Sequence, residues 1–202
     1  MSQPVAADRL AVPASPAGET VSGKTTLGQT AALLNRIKQD WQRIRPELDA
    51  SPMLTGLLLD RLGSAFARHV EQTYSAEGIN SSNWDLLLTL LRSAPAQGLT
   101  HTELSELTAI SGPSMTNRVT RLLNKGLVER MVSATDRRSA LVRLTPQGRQ
   151  LVERLLPHHI AREQGALSVL SPEELSLLTG IALKLVEHLE LDAVDEDAEN
   201  VG

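Results

Sequence analysis

The chain of 202 residues contains no cysteine. That absence excludes a disulfide framework, a thiolate zinc site and thiol-based redox sensing. No apolar stretch approaches the roughly 20 residues of a membrane span, and the first residues lack the apolar core of a signal peptide. A cytoplasmic location with no membrane partner is therefore expected. Glycine-rich phosphate loops and nucleophile elbows are missing, which removes the usual sequence grounds for a nucleotide-using or acyl-transferring enzyme. His-Glu-x-x-His spacing is missing too. Of the histidines His69, His101, His158, His159 and His188, only the adjacent pair His158-His159 suggests a metal. With no cysteine beside it, no metal, no cofactor and no catalytic residue are expected.

The formal net charge of −4 speaks superficially against a nucleic-acid partner. The average conceals an asymmetry. Residues 99–149 hold eight Lys and Arg (Arg118, Arg121, Lys125, Arg130, Arg137, Arg138, Arg143, Arg149) against four acids (Glu103, Glu106, Glu129, Asp136), a local +4 that leaves −8 for the remainder. A basic patch on an acidic body suits DNA binding through one face. The competing reading is an ordinary solvated charged face.

Within that segment Thr102 to Ala109 reads as a helix, Ile110-Ser111-Gly112 as a turn, and Pro113 to Leu123 as a second helix ended by Lys125-Gly126. Leu127-Val128-Glu129-Arg130 starts an extended run that turns through Thr135-Asp136-Arg137-Arg138 and returns over residues 140–145. The expected fold is mainly α with a small β-hairpin wing. A winged helix-turn-helix core, assigned to residues 81–145, is flanked by long N- and C-terminal helices.

Residues 1–25, with Pro4, Pro13 and Pro16 among Ala, Ser and Gly, read as a disordered arm. An extra N-terminal helix is expected over 26–46, where Leu33, Leu34, Ile37, Trp41 and Ile44 share a face and Pro46 closes the run. A dimerisation helix is assigned to 47–80, with its stripe from Leu54 to Val70 and a break at Gly78. Asn80 to Asn83 supplies an N-cap for a short helix, Trp84 to Arg92, apolar on nearly every side and so expected to be buried. Thr145-Pro146 caps the next helix, which Pro157 should kink, and Ser171-Pro172-Glu173-Glu174 is a capping box for the last. These C-terminal dimerisation helices span 146–191, and the acidic tail 192–202 is expected to fray. The flanking helices carry more apolar surface than the small core can cover. Two copies would bury it, and a two-fold homodimer would read a pseudo-palindrome with half-sites roughly 10 bp apart or a multiple of that.

The order and spacing resemble the MarR family of bacterial transcription regulators. The resemblance rests on the helix-turn-helix followed by Asp136-Arg137-Arg138 and Leu141-Val142-Arg143-Leu144-Thr145, with flanking helices, over residues 50–190. Residues 31–37 (Ala31 to Ile37) with Trp41, Asn83-Trp84-Asp85-Leu86-Leu87-Leu88, and Ile110-Ser111-Gly112-Pro113-Ser114 are similar to the urate-responsive branch, which also carries an extra helix. The resemblance implies a repressor that leaves a double-stranded DNA operator when urate binds. A phenolic compound or another aromatic anion is the alternative effector. It also implies four ligand residues, which fall on Trp41, Asp85, Arg118 and Arg130.

The residues themselves leave each role open. With Met115, Val119 and Leu122 defining the inner face of the second helix, Arg118 lies on or beside that face and needs an anionic partner, unless it reaches round to a DNA phosphate. Asp85 sits in an apolar helix, or simply favours the positive helix N-terminus. Arg130 suits a ligand, a phosphate or plain exposure, and Trp41 a ligand platform or core. Together they supply two cations, one anion and a flat aromatic surface, a set that suits a planar heteroaromatic anion. On the opposite side of the second helix Ser114, Asn117, Thr120 and Arg121 face the groove, with Thr116 at the edge. The resemblance implies that Arg138 enters the minor groove, oriented by Asp136, with Arg137 as a second cation at the wing tip.

Overall fold

A computed structural model describes residues 26–109, 114–132 and 140–199. The arm at 1–25, the turn Ile110-Ser111-Gly112 with Pro113, and the wing tip carrying Asp136, Arg137 and Arg138 lie outside the described residues. The chain divides into two compact units, residues 1–59 and 60–202.

In the first unit α1 (Thr26–Ile44) forms where the sequence places it. Its stripe is only partly covered: Leu34, Ile37 and Trp41 are half-buried, while Leu33 and Ile44 are exposed. Asp49 accepts from the Ser51 N–H at 2.9 Å at the start of α2 (Ser51–Glu71), satisfying one of the orphan donors of that helix end.

The second unit is built around α3 (Ser81–Ser93). The helix starts three residues before the expected Trp84, because its N-cap is Asn80, whose side chain accepts from the Asn83 N–H. Trp84, Leu86, Leu87 and Leu90 are all buried, as an all-round apolar helix requires. Tyr74 stacks on Trp84 with ring centroids 5.2 Å apart, and His159 meets the same indole edge-on at 5.4 Å. Burial pushes the Tyr74 hydroxyl up to about 12, assisted by Glu71 and Glu163.

A capping box between Thr100 and Glu103 opens α4 (His101–Leu107), and α5 (Met115–Asn124) follows, ending at Lys125 and a left-handed Gly126. The hairpin pairs β1 (Val128–Val132) antiparallel with β2 (Ala140–Leu144), Arg130 opposite Val142. Leu99 adds a one-residue third rung, exchanging backbone hydrogen bonds with Val142 at 2.9 and 2.7 Å. Gly98, at φ +99°, permits that approach, since a Cβ there would lie 2.5 Å from the Val142 carbonyl oxygen.

Thr145 caps α6 (Pro146–Leu167) by accepting from Gly148, with proline at the first helical position; the helix continues unbroken through Pro157. Ser171 and Glu174 exchange the expected capping-box bonds at the start of α7 (Pro172–Glu199). This helix runs past Asp192, where fraying was expected. Alanine and glutamate continue the run, and no glycine or proline interrupts it before Gly202. Through Glu190 every α7 side chain is exposed, including Leu175, Leu178, Ile181, Leu185 and Leu189. No single helix among the described residues is long and apolar enough to cross a membrane.

Candidate nucleic-acid interface

The two sides of α5 have different chemistry. Val119 and Leu122 are fully buried, Met115 is half-buried, and Ser114, Thr116, Asn117, Thr120 and Arg121 are exposed. All five described residues expected to face a DNA groove therefore lie on the solvent side. The exposed set combines short hydroxyls, an amide and a guanidinium, the groups that read base edges and hold phosphates. Thr120 also donates to the Thr116 carbonyl at 2.8 Å, so its hydroxyl is locally oriented.

Arg118 points the other way. Its side chain is 4 % exposed and pairs with Asp85, 8 % exposed, at 3.5 Å from Nη2 to Oδ2. The same Nη2 donates to the Ser82 carbonyl. The contact ties α5 to the first turn of α3. The periodicity of α5 marked the inward direction; the Ser82 carbonyl left no signal in the sequence, being a backbone group. With both partners buried, truncating Arg118 to alanine removes a charge beside a buried carboxylate, so it is not neutral for folding.

Arg130 does not share that environment. It projects from β1 as an exposed side chain, close enough to His101 that its charge, after burial, helps hold the His101 imidazole below its ordinary value. Trp41 is half-buried on α1 in the first unit. Arg143 pairs with Glu129 across the hairpin at 2.7 Å and donates to the Ala96 carbonyl, fastening the wing to the α3–α4 connection. Nothing local in the sequence marks Arg143 for this role. Lys125 reaches from the end of α5 to the Glu77 carbonyl at 3.0 Å. His158 and His159 are not joined by a third ligand: no group of three or more metal-ligating side chains occurs among the described residues.

The sequence profile described as MarR family matches residues 77–139. The HTH-type transcriptional regulator PecS of Dickeya dadantii is 30 % identical over 153 residues, 76 % of this chain and 92 % of PecS. Among solved structures, a probable transcriptional regulator from Pseudomonas aeruginosa is similar at TM-score 0.57 and 28 % identity, covering 64 % of this chain and 95 % of that one. Bordetella bronchiseptica BpsR, whose DNA binding is regulated by 6-hydroxynicotinic acid, is similar at TM-score 0.57 and 26 % identity, over 65 % and 91 % of the two chains. With the hairpin, the two-sided α5 and these relatives together, the chain belongs to the MarR family of helix-turn-helix transcriptional regulators.

Proposed function

We propose that this regulator is a homodimeric repressor that binds a pseudo-palindromic operator and is released from it by urate. The observation that carries the reading is the buried Arg118–Asp85 pair, which places a cation of the recognition helix inside the protein and beside a carboxylate. A planar anion reaching that place would compete with Asp85 for the guanidinium and repel the carboxylate. Two unit charges about 4 Å apart at an effective dielectric near 20 interact by about 4 kcal/mol. Reversing a two-state population from 1:99 to 99:1 takes about 5.5 kcal/mol. One such contact per protomer of a dimer is enough to move a helix between reading and non-reading positions.

Dimerisation is supported by the exposed leucine and isoleucine face of α7, which nothing among the described residues covers. The exposed side of α5, with Ser114, Thr116, Asn117, Thr120 and Arg121, is the proposed reading face, joined by Arg137 and Arg138 at the wing tip. By resemblance Trp41 and Arg130 also contact the effector. The exposure of Arg130 equally favours a phosphate contact. A second effector class has its own support: BpsR responds to 6-hydroxynicotinic acid, another flat heteroaromatic anion. A gel-shift titration on the DNA upstream of the protein's own reading frame, with urate, salicylate and 6-hydroxynicotinate in parallel, separates them. Release by urate at the lowest concentration supports the reading; release by another anion alone overturns the choice of effector.

A further inference from the structure

Arg121 and Lys125, four residues apart at the end of α5, lie beside the first turn of α3, which the buried Arg118 contacts from the inner side. A cleft of about 270 Å³ lies there, lined by Gly78, Asn80, Asn83, Arg121, Asn124 and Lys125, with no carboxylate among them. The nearby acids are already engaged. Glu77 pairs with Arg154 at 2.8 Å while its carbonyl accepts from Lys125, and Asp85 pairs with Arg118. The Lys125 ammonium keeps two further donors.

The neutral groups point the same way. Asn80 uses its Oδ1 as the N-cap of α3, accepting from the Asn83 N–H at 2.9 Å and the Ser82 hydroxyl at 3.2 Å. Asn83 is 3 % exposed, yet its Oδ1 meets no donor among the described residues. A buried amide left in that condition is unfavourable unless something else completes it. Asn83 also lines the cleft, and its terminal amide carries an NH2 donor beside the oxygen. The start of a 13-residue helix contributes the positive end of its dipole.

We propose that this cleft is a phosphate-binding site, with Arg121 and Lys125 supplying charge and Asn83 and the start of α3 supplying neutral donors. Arg121 belongs both to the cleft and to the exposed side of α5, so the site adjoins the proposed reading face. The phosphate comes either from the backbone of a bound duplex or from a free phosphate compound. The duplex source rests on the DNA-binding reading above; the free source does not.

Two measurements on wild type, Lys125→Gln and Asn83→Asp test the site. One is the salt dependence of binding to the upstream duplex in chloride buffer. The other is a titration with inorganic phosphate followed by the amide resonances of residues 81–83. A duplex phosphate predicts that Lys125→Gln lowers the slope of log K against log salt by about one, because one counterion fewer is released. Asn83→Asp, which adds a carboxylate at constant volume, then weakens binding about tenfold. A free phosphate predicts unchanged slopes, with saturable amide shifts in wild type that both variants lose. Unchanged slopes together with no saturable shift overturn the site. Wild type that binds no duplex but keeps the phosphate shifts overturns the DNA-binding reading and leaves the site standing. Should Asn83→Asp fail to fold, the exposed Lys125→Gln still decides, with Lys125→Arg expected to restore the wild-type slope.

Discussion

Arg118 of α5 and Asp85 of α3 meet at 3.5 Å with both side chains almost wholly removed from water. Removing either member takes an oppositely charged partner from a side chain that stays buried. Arg118→Ala and Asp85→Ala are each expected to cost about 3–5 kcal/mol, and the double variant clearly less than their sum. Urea denaturation of the four-member cycle measures this. Additive losses would mean that the pair does not couple the two helices.

The helix-turn-helix is set locally by the Thr100–Glu103 capping box. Thr100→Ala should destabilise the protein by about 1 kcal/mol. Amide exchange should quicken at the start of α4, whose first orphan donors lose their acceptor. An unchanged midpoint in urea would show that the box contributes little there.

Two close approaches should be intolerant of a methyl group. A Cβ on Gly148 would lie 1.9 Å from the Leu127 carbonyl oxygen, and one on Gly98 would combine a 2.5 Å contact with positive φ. Gly148→Ala and Gly98→Ala are each expected to lose at least about 1–3 kcal/mol. Thermal unfolding reads both, and a wild-type Tm for Gly148→Ala would contradict the packing of α6 against the Leu127 backbone.

Burial holds the His159 imidazole below its ordinary value of 6.5, with Glu163 acting in the opposite sense. The unfolded chain therefore takes up a proton at higher pH than the folded chain. Stability should fall as pH drops below about 6.5 and level off beneath the folded value. His101 is shifted in the same direction, first by burial and then by Arg130, and adds to the same slope. Comparing Tm at pH 7.5 and pH 5 in wild type and His159→Phe checks the sign. The variant keeps a ring against Trp84 and should lose part of the acid sensitivity; an unaltered pH slope would acquit His159.

Much of this architecture was legible in the residues. Asn80, Thr145, Ser171 and Glu174 announce helix starts because each side chain satisfies orphan backbone donors. The two faces of α5 follow from the spacing of Met115, Val119 and Leu122, which also turned Arg118 inward. What escaped was set by tertiary contact. Leu99 joins the hairpin through a single rung, too short to leave an alternating pattern. Lys125 and Arg143 read as surface charge, since nothing local shows that their partners are the Glu77 and Ala96 carbonyls. In β1, side chains alternate between faces with period two, and composition did not choose which face Arg130 takes.

The most direct measurement is a urate titration of the protein–DNA complex in wild type and Arg118→Lys. Lysine keeps the charge beside Asp85 but lacks the planar fork that would hold a flat anion. Both proteins should bind the upstream DNA, and the lysine variant should need at least about tenfold more urate for half-release, the loss of one charge-assisted contact. Half-release of both complexes at the same urate concentration would contradict a role for Arg118 in sensing the ligand.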